Sequence, residues 1–200
     1  MSIESKKLKW SDLPEASELS QALEQEKYRE RYLKILKSTI STLVVVAAIA
    51  ILTATLWLPV LQIYGNSMTP NLESGDMVVS VSAQKLRQGD VVAFYYNNKV
   101  LVKRVIATEG QWVDIDSQGT VSVDGQKLEE PYLADNEKDL GDTNIQLPYQ
   151  VPEGKFFVMG DHRSVSIDSR NTAIGSIGNE QIVGRLVLRV WPLNRIQWVK

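Results

Sequence analysis

Hydrolytic chemistry needs a nucleophile and a base, and this sequence offers few candidates for either. It has no cysteine and a single histidine, His162. That removes thiol nucleophiles, thiolate zinc sites, disulfide frameworks and any multi-histidine metal centre. Serine or threonine remains, and either needs a neighbouring group to take its proton. Three clusters hold the parts. GNSMTPNLESGD (65–76) sets Ser67 beside Met68 and Pro70. VLVKRVI (100–106) carries Lys103 and Arg104 side by side. GDHRSVSIDSR (160–170) crowds Asp161, His162, Arg163, Asp168 and Arg170 around three serines.

Each cluster admits a particular chemistry. Side chains alternate across a strand, so Lys103 shares a face with Leu101 and Val105, while Arg104 shares the other with Val102 and Ile106. A lysine on an apolar face loses hydration, which disfavours its charged form and leaves a neutral amine able to accept a proton. The same lysine could also extend to water or pair with a carboxylate. His162 with Ser67 and an aspartate would make a triad of the Ser-His-Asp type, although its flanks, Asp161 and Arg163, read more like a polar turn. Lys85, Lys99, Lys127, Lys138 and Lys155 sit in turn-like or charged contexts.

These clusters must be held by something. Between Lys37 and Glu73 there is no Asp, Glu, Lys or Arg. A bilayer core about 30 Å thick takes roughly 20 apolar residues of helix, and residues 38–61 supply them without amphipathic patterning, which makes a buried soluble helix the weaker reading. Lys27, Arg29, Arg31, Lys34 and Lys37 precede the span, so positive-inside logic places residues 1–37 in the cytoplasm and residues 62–200 outside. Trp57 and Tyr64 would lie in the outer aromatic belt, Tyr28 and Tyr32 near the inner face. The long charged lead and the length of the span favour a retained anchor over a cleaved leader. Asp12 and Glu15 suggest a helix cap for the N-terminal segment.

Beyond the span the texture is of strands and turns: residues 76–82, 90–96, 99–108, 112–116, 120–125, 155–161 and 182–193. Asn97-Asn98, Gln118-Gly119 and Asp124-Gly125 are hairpin signals. The expected class is mainly β, a folded sheet or barrel behind a transmembrane helix, with no helix of note after the anchor. Residues 62–107 and 155–200 would form the catalytic β core and 108–154 an inserted small β/loop lobe, irregular over about 126–152. With a net charge of −2, there is no basic excess of the kind that marks a nucleic-acid binder.

The clusters together resemble the type I signal peptidases, the S26 family of serine proteases, most closely the Gram-positive kind with one anchor. The family's serine motif appears as Ser67-Met68-Thr69-Pro70-Asn71-Leu72, its Gly-Asp-Val-Val-x-Phe strand as Gly89–Phe94, and its lysine motif as Val102–Ala107. Its last signature appears as Gly160-Asp161-His162-Arg163 followed by Ser166, Asp168, Ser169 and Arg170. The resemblance runs from the span to about Pro192. It implies Ser67 as nucleophile, Lys103 as general base, Ser166 as the hydroxyl that orients the amine, and Asp168 with Arg170 as a supporting ion pair. The Ser67 N–H would meet the oxyanion; the position that supplies a second donor in some members is Gly65 here. Ile63, Met68, Leu72 and Leu101 would line small substrate pockets. The implied partners are secretory preproteins with signal peptides and the lipid bilayer, with no metal or organic cofactor. Asn71, Ala107, Glu109, Gln111 and His162 depart from the family pattern and suggest a divergent member. A catalytically weak relative that assists assembly of surface structures such as pili is the alternative.

Overall fold

The computed structural model describes residues 16–57, 59–82, 85–133 and 138–199; the Asp12–Glu15 cap lies outside them. The chain divides into two compact units, one up to Ala54 and one from Thr55 onward.

The first unit is the body of a single helix, α1 (Ala16–Trp57). It contains neither Pro nor Gly, so nothing interrupts the backbone ladder between its charged beginning and its apolar end. Thr39 and Thr42 donate their hydroxyls to the carbonyls of Ile35 and Ser38 at 3.0 and 2.9 Å, which hides polar groups inside the helix surface. Its side chains from Leu43 to Leu52 are exposed, and Leu23–Thr53 is long and apolar enough to cross a membrane. The span expected to reach Leu61 is shorter as a helix. α1 ends at Trp57, and Val60 already pairs with a strand, because Pro59 lacks the N–H that a continuing helix would use.

The second unit is built on two antiparallel sheets, which bears out the mainly β class. The larger contains β1 (Val60–Gln62), β2 (Met77–Val81), β3 (Val91–Tyr96), β4 (Lys99–Thr108), β9 (Lys155–Met159), β10 (Ile177–Gly178), β11 (Ile182–Trp191) and β12 (Gln197–Trp198). Its order is β1-β2-β11-β3-β4-β9-β10, with β12 on β11. The smaller contains β5 (Trp112–Ile115), β6 (Val121–Val123), β7 (Gln126–Lys127) and β8 (Tyr149–Gln150), in the order β7-β6-β5-β8. Asn97 and Asn98, with φ of 44° and 61°, turn β3 into β4, the left-handed pair that a tight hairpin requires.

Three apolar clusters explain why β3 reads as a continuous apolar run rather than an alternating one. Val91 and Ala93 face a cluster with Ile63, Met68, Leu72, Val78 and Leu186. Val92 and Phe94 face another with Val105, Val158 and Ile177. A third joins the two sheets through Ile106, Phe157 and Met159 on one side and Val113, Ile115 and Val121 on the other. Both faces of the larger sheet are therefore covered at its centre, and charged groups there are desolvated.

Candidate active site

Ser67 sits on the loop from Ile63 to Asp76. Its ends are tied by Ile63 N–H to the Asp76 carbonyl at 2.8 Å and by Gly75 N–H to the Ile63 carbonyl at 2.9 Å. Ile63, Met68 and Leu72 plug it into the core at 2–3% exposure. This leaves Ser67 half-buried on a pinned turn. Its carbonyl accepts the His162 N–H at 3.0 Å. Its own N–H and hydroxyl have no hydrogen-bond partner among the described residues.

Lys103 stands on β4 opposite Val92 and is 4% exposed. Burial drives its pKa down to about 8. The Asp168 carboxylate pulls it back up, the Arg170 guanidinium pushes it down, and Asp161 raises it further. Lys103 forms no ion pair among the described residues, so carboxylates act on it from a distance and do not clamp it. No hydrogen bond joins Ser67 to Lys103 among the described residues either.

The 160–170 loop connects the two. The Ser166 hydroxyl donates to Asp168 Oδ2 at 2.7 Å, and the Gly160 N–H donates to the same oxygen at 2.9 Å. Arg170 Nε donates to Asp168 Oδ1 at 2.8 Å and Nη2 to Oδ2 at 2.9 Å. Ser166, Asp168 and Arg170 are fully buried. Gly160 is required by space: a Cβ there would stand 2.3 Å from Ser166 Oγ and 2.5 Å from the Ser67 carbonyl oxygen. That crowding brings the Ser67 turn and the Ser166 hydroxyl against one α-carbon.

The opposite face of β4 is organised differently. Arg104 makes a two-pronged bond to Asp161, Nε to Oδ1 at 2.8 Å and Nη2 to Oδ2 at 2.6 Å, and its third nitrogen donates to the Gly89 carbonyl at 2.9 Å. Its guanidinium carbon lies 4.0 Å from the Tyr132 ring centroid. Asn71 Nδ2 donates to Asp161 Oδ2 and to the Tyr132 carbonyl. A cavity of about 880 Å³ opens here, lined by Leu72, Val91, Arg104, Tyr132 and Trp198 among others, and neither Ser67 nor Lys103 lines it. The cavity and the Lys103 side chain are thus on different sides of the strand. The side chains decide where chemistry can occur.

Sequence reasoning singled out Ser67, Lys103, Ser166, Asp168 and Arg170, and the structure gathers Ser67 and Ser166 around Gly160 and Lys103 within the field of Asp168. The expected pocket residues divide between two clusters: Ile63, Met68 and Leu72 lie in one, and Leu101 packs against the other. Glu130, Thr69 and Tyr132 carried no expected role. Glu130 pairs with the buried Arg163, and its only sequence trace was an acidic doublet in the irregular stretch. Arg170 Nη1 also donates to the Leu140 carbonyl at 2.8 Å, tying Leu140 to the 160–170 loop. Thr69 meets the ring of His162 at 2.8 Å. Among the described residues no cluster of His, Asp or Glu is arranged to hold a metal ion.

Comparisons with known proteins find relatives of this chain. Residues 36–191 match the family described as signal peptidase, peptidase S26. Signal peptidase IB of Staphylococcus aureus (strain MRSA252) is 38% identical over 154 residues, which cover 68% of this chain and 79% of that protein. Signal peptidase I of Bacillus licheniformis is 34% identical over 144 residues, 66% of this chain and 76% of that protein. A crystal structure of a signal peptidase I from Enterococcus faecalis V583 aligns with a TM-score of 0.43 at 29% identity, covering 52% of this chain and 99% of that one.

Proposed function

This chain belongs to the S26 family of signal peptidases, which are serine endopeptidases, and we propose that it removes signal peptides from secreted preproteins with a Ser67–Lys103 pair. One observation carries the proposal. Lys103 is buried without an ion-pair partner, its pKa is lowered to about 8, and it lies in the field of the same Asp168 that holds the loop contacting Ser67.

The neutral Lys103 amine takes the Ser67 hydroxyl proton as Ser67 Oγ attacks the scissile carbonyl. The Ser67 N–H, which has no other partner among the described residues, meets the developing oxyanion. Collapse expels the amine of the mature protein, which takes the proton from the lysine ammonium and leaves an acyl ester on Ser67. Lys103 then deprotonates a water that hydrolyses the ester and restores the serine. Ser166 spends its hydroxyl proton on Asp168, so its lone pairs accept from the lysine amine and aim it. Arg170 holds Asp168 in turn.

The substrate would lie extended. Among the described residues β1 pairs only with β2, and residues 99–103 of β4 have no partner on the side where β9 joins Arg104–Thr108. Both edges offer free main-chain groups of the kind that receive an added strand. Leu61 and Val102 pack against the same cluster as Met68. Ile63, Met68 and Leu72 would form the floor of small pockets there, with Leu101 as a wall. The apolar segment of α1 anchors the chain, residues 1–37 are cytoplasmic, and the β unit lies outside with residues 108–154 as an inserted lobe. The presence of both Ser67 and Lys103 favours cleavage over a purely assisting role.

The test is cleavage of a preprotein in detergent by the full chain. Wild type is expected to release the mature protein, and Ser67→Ala and Lys103→Met are not. A Ser67→Ala variant that still cleaves, or a wild type that cleaves no preprotein, would overturn the proposal.

A further inference from the structure

The ring of His162 is the one imidazole in the chain, and the reaction above gives it no part. It meets the nucleophile turn at two points. Its backbone N–H donates to the Ser67 carbonyl at 3.0 Å, and its Nδ1 lies 2.8 Å from Thr69 Oγ1. Thr69 Oγ1 in turn donates to the Asn66 carbonyl at 2.8 Å, and the Thr69 N–H reaches the same oxygen at 3.2 Å. A hydroxyl has one proton to give. With that proton on Asn66, the bond to His162 must run the other way, from Nδ1–H to Thr69 Oγ1. The imidazole therefore carries hydrogen on Nδ1, and the three groups form a directed chain: His162 Nδ1–H to Thr69 O–H to Asn66 C=O.

The Asn66 carbonyl shares one planar peptide unit with the Ser67 N–H, and in a trans peptide the two point in opposite directions. Whatever holds the carbonyl holds the N–H. Resting on the proposed function, we infer that His162 and Thr69 are positioning residues that aim the Ser67 N–H at the oxyanion. The need is acute here, because Gly65 has no side chain to offer a second donor and the Ser67 N–H has no other partner among the described residues. Without the relay the peptide plane can rock, and the donor then points off the place where negative charge develops. Ground-state binding, made along the strand edges, does not depend on that plane.

The prediction separates aim from mere stability. Removing an oxyanion donor outright costs about 10²–10³ in rate, so loosening one should cost about 10- to 100-fold. In detergent with a preprotein substrate, His162→Ala should lower kcat by about that factor and leave KM within about twofold. His162→Asn, whose Nδ2 occupies the place of Nδ1, should recover most of the loss. His162→Gln, with its amide one bond farther out, should not. Thr69→Val should behave like His162→Ala, Thr69→Ser should recover, and the double variant should be no worse than either single one. Normal kcat in His162→Ala, equal recovery by Asn and Gln, or additive losses in the double variant would each overturn the inference while leaving the Ser67–Lys103 reading intact. Cleavage by Ser67→Ala in the same assay would instead remove the reading on which it rests.

Discussion

Lys103 and Arg104 are neighbours on β4, both buried, and they have opposite fates. Arg104 is gripped by both oxygens of Asp161, by the Gly89 carbonyl and by the face of Tyr132. Lys103 has no such grip, and its carboxylate neighbours act only through space. A buried cation with matched partners keeps its charge and serves as a fastener. One without them has its charged form disfavoured, which suits it to the proposed role of base. The residue types suit the division, since guanidinium stays protonated and forks onto a carboxylate, whereas an ammonium shifts readily when desolvated.

The largest expected effect breaks the chemical side. Lys103→Met or Ser67→Ala should lower kcat by about 10⁴-fold or more, since removing one member of a nucleophile–base unit disables the whole; single-turnover cleavage measures it. Next comes the fastener. Asp161→Asn takes from Arg104 the carboxylate that two of its nitrogens grip, and should cost up to about 3–5 kcal/mol of stability in denaturant unfolding.

The third prediction reverses the sign across the strand: Lys103→Met should stabilise. The folded pKa near 8 lies below the ordinary 10.5, so between those values the unfolded chain holds a proton that the folded chain has released. Wild-type stability therefore rises from pH 8 to pH 10.5, and the penalty is fully present below pH 8. Removing it should gain up to roughly 3 kcal/mol at pH 7 and little at pH 10.5, read from unfolding curves at both pH values. Fourth, Asp168 raises the Lys103 pKa, so Asp168→Asn should move the rising limb of the pH–rate profile to lower pH, along with lower overall activity. The smallest effect lies at the surface. Arg185, paired with Asp90 at 3.1 Å and 43% exposed, should be replaceable by Ala at a cost of no more than about 1 kcal/mol.

Much of this organisation was legible in the sequence because it is local. The apolar segment of α1, the β3–β4 hairpin with its Asn97-Asn98 turn, and the opposite faces of Lys103 and Arg104 follow from composition and period. What was not legible is long-range. β11 inserts between β2 and β3, and two-residue strands such as β7, β8 and β10 exist only because a neighbour pairs with them. The stretch around Glu130–Ile145 looked merely irregular. Its described residues are held from outside it: Glu130 by the Arg163 side chain, Leu140 by the Arg170 side chain, and Asn144 and Ile145 by the Arg170 carbonyl. Asn71 and His162, read as departures from a family pattern, are bonded to Asp161 and Thr69, contacts that no spacing rule exposes.

The difference between the two faces of β4 rests on the charge state of one amine. Titration of the Lys103 side chain by NMR, in Ser67→Ala to prevent turnover and with Lys103→Met to assign the signal, measures it directly. A midpoint near 8 is the predicted result. A midpoint at the ordinary lysine value of 10.5 would mean that Lys103 stays charged at working pH, and would contradict its role as the base.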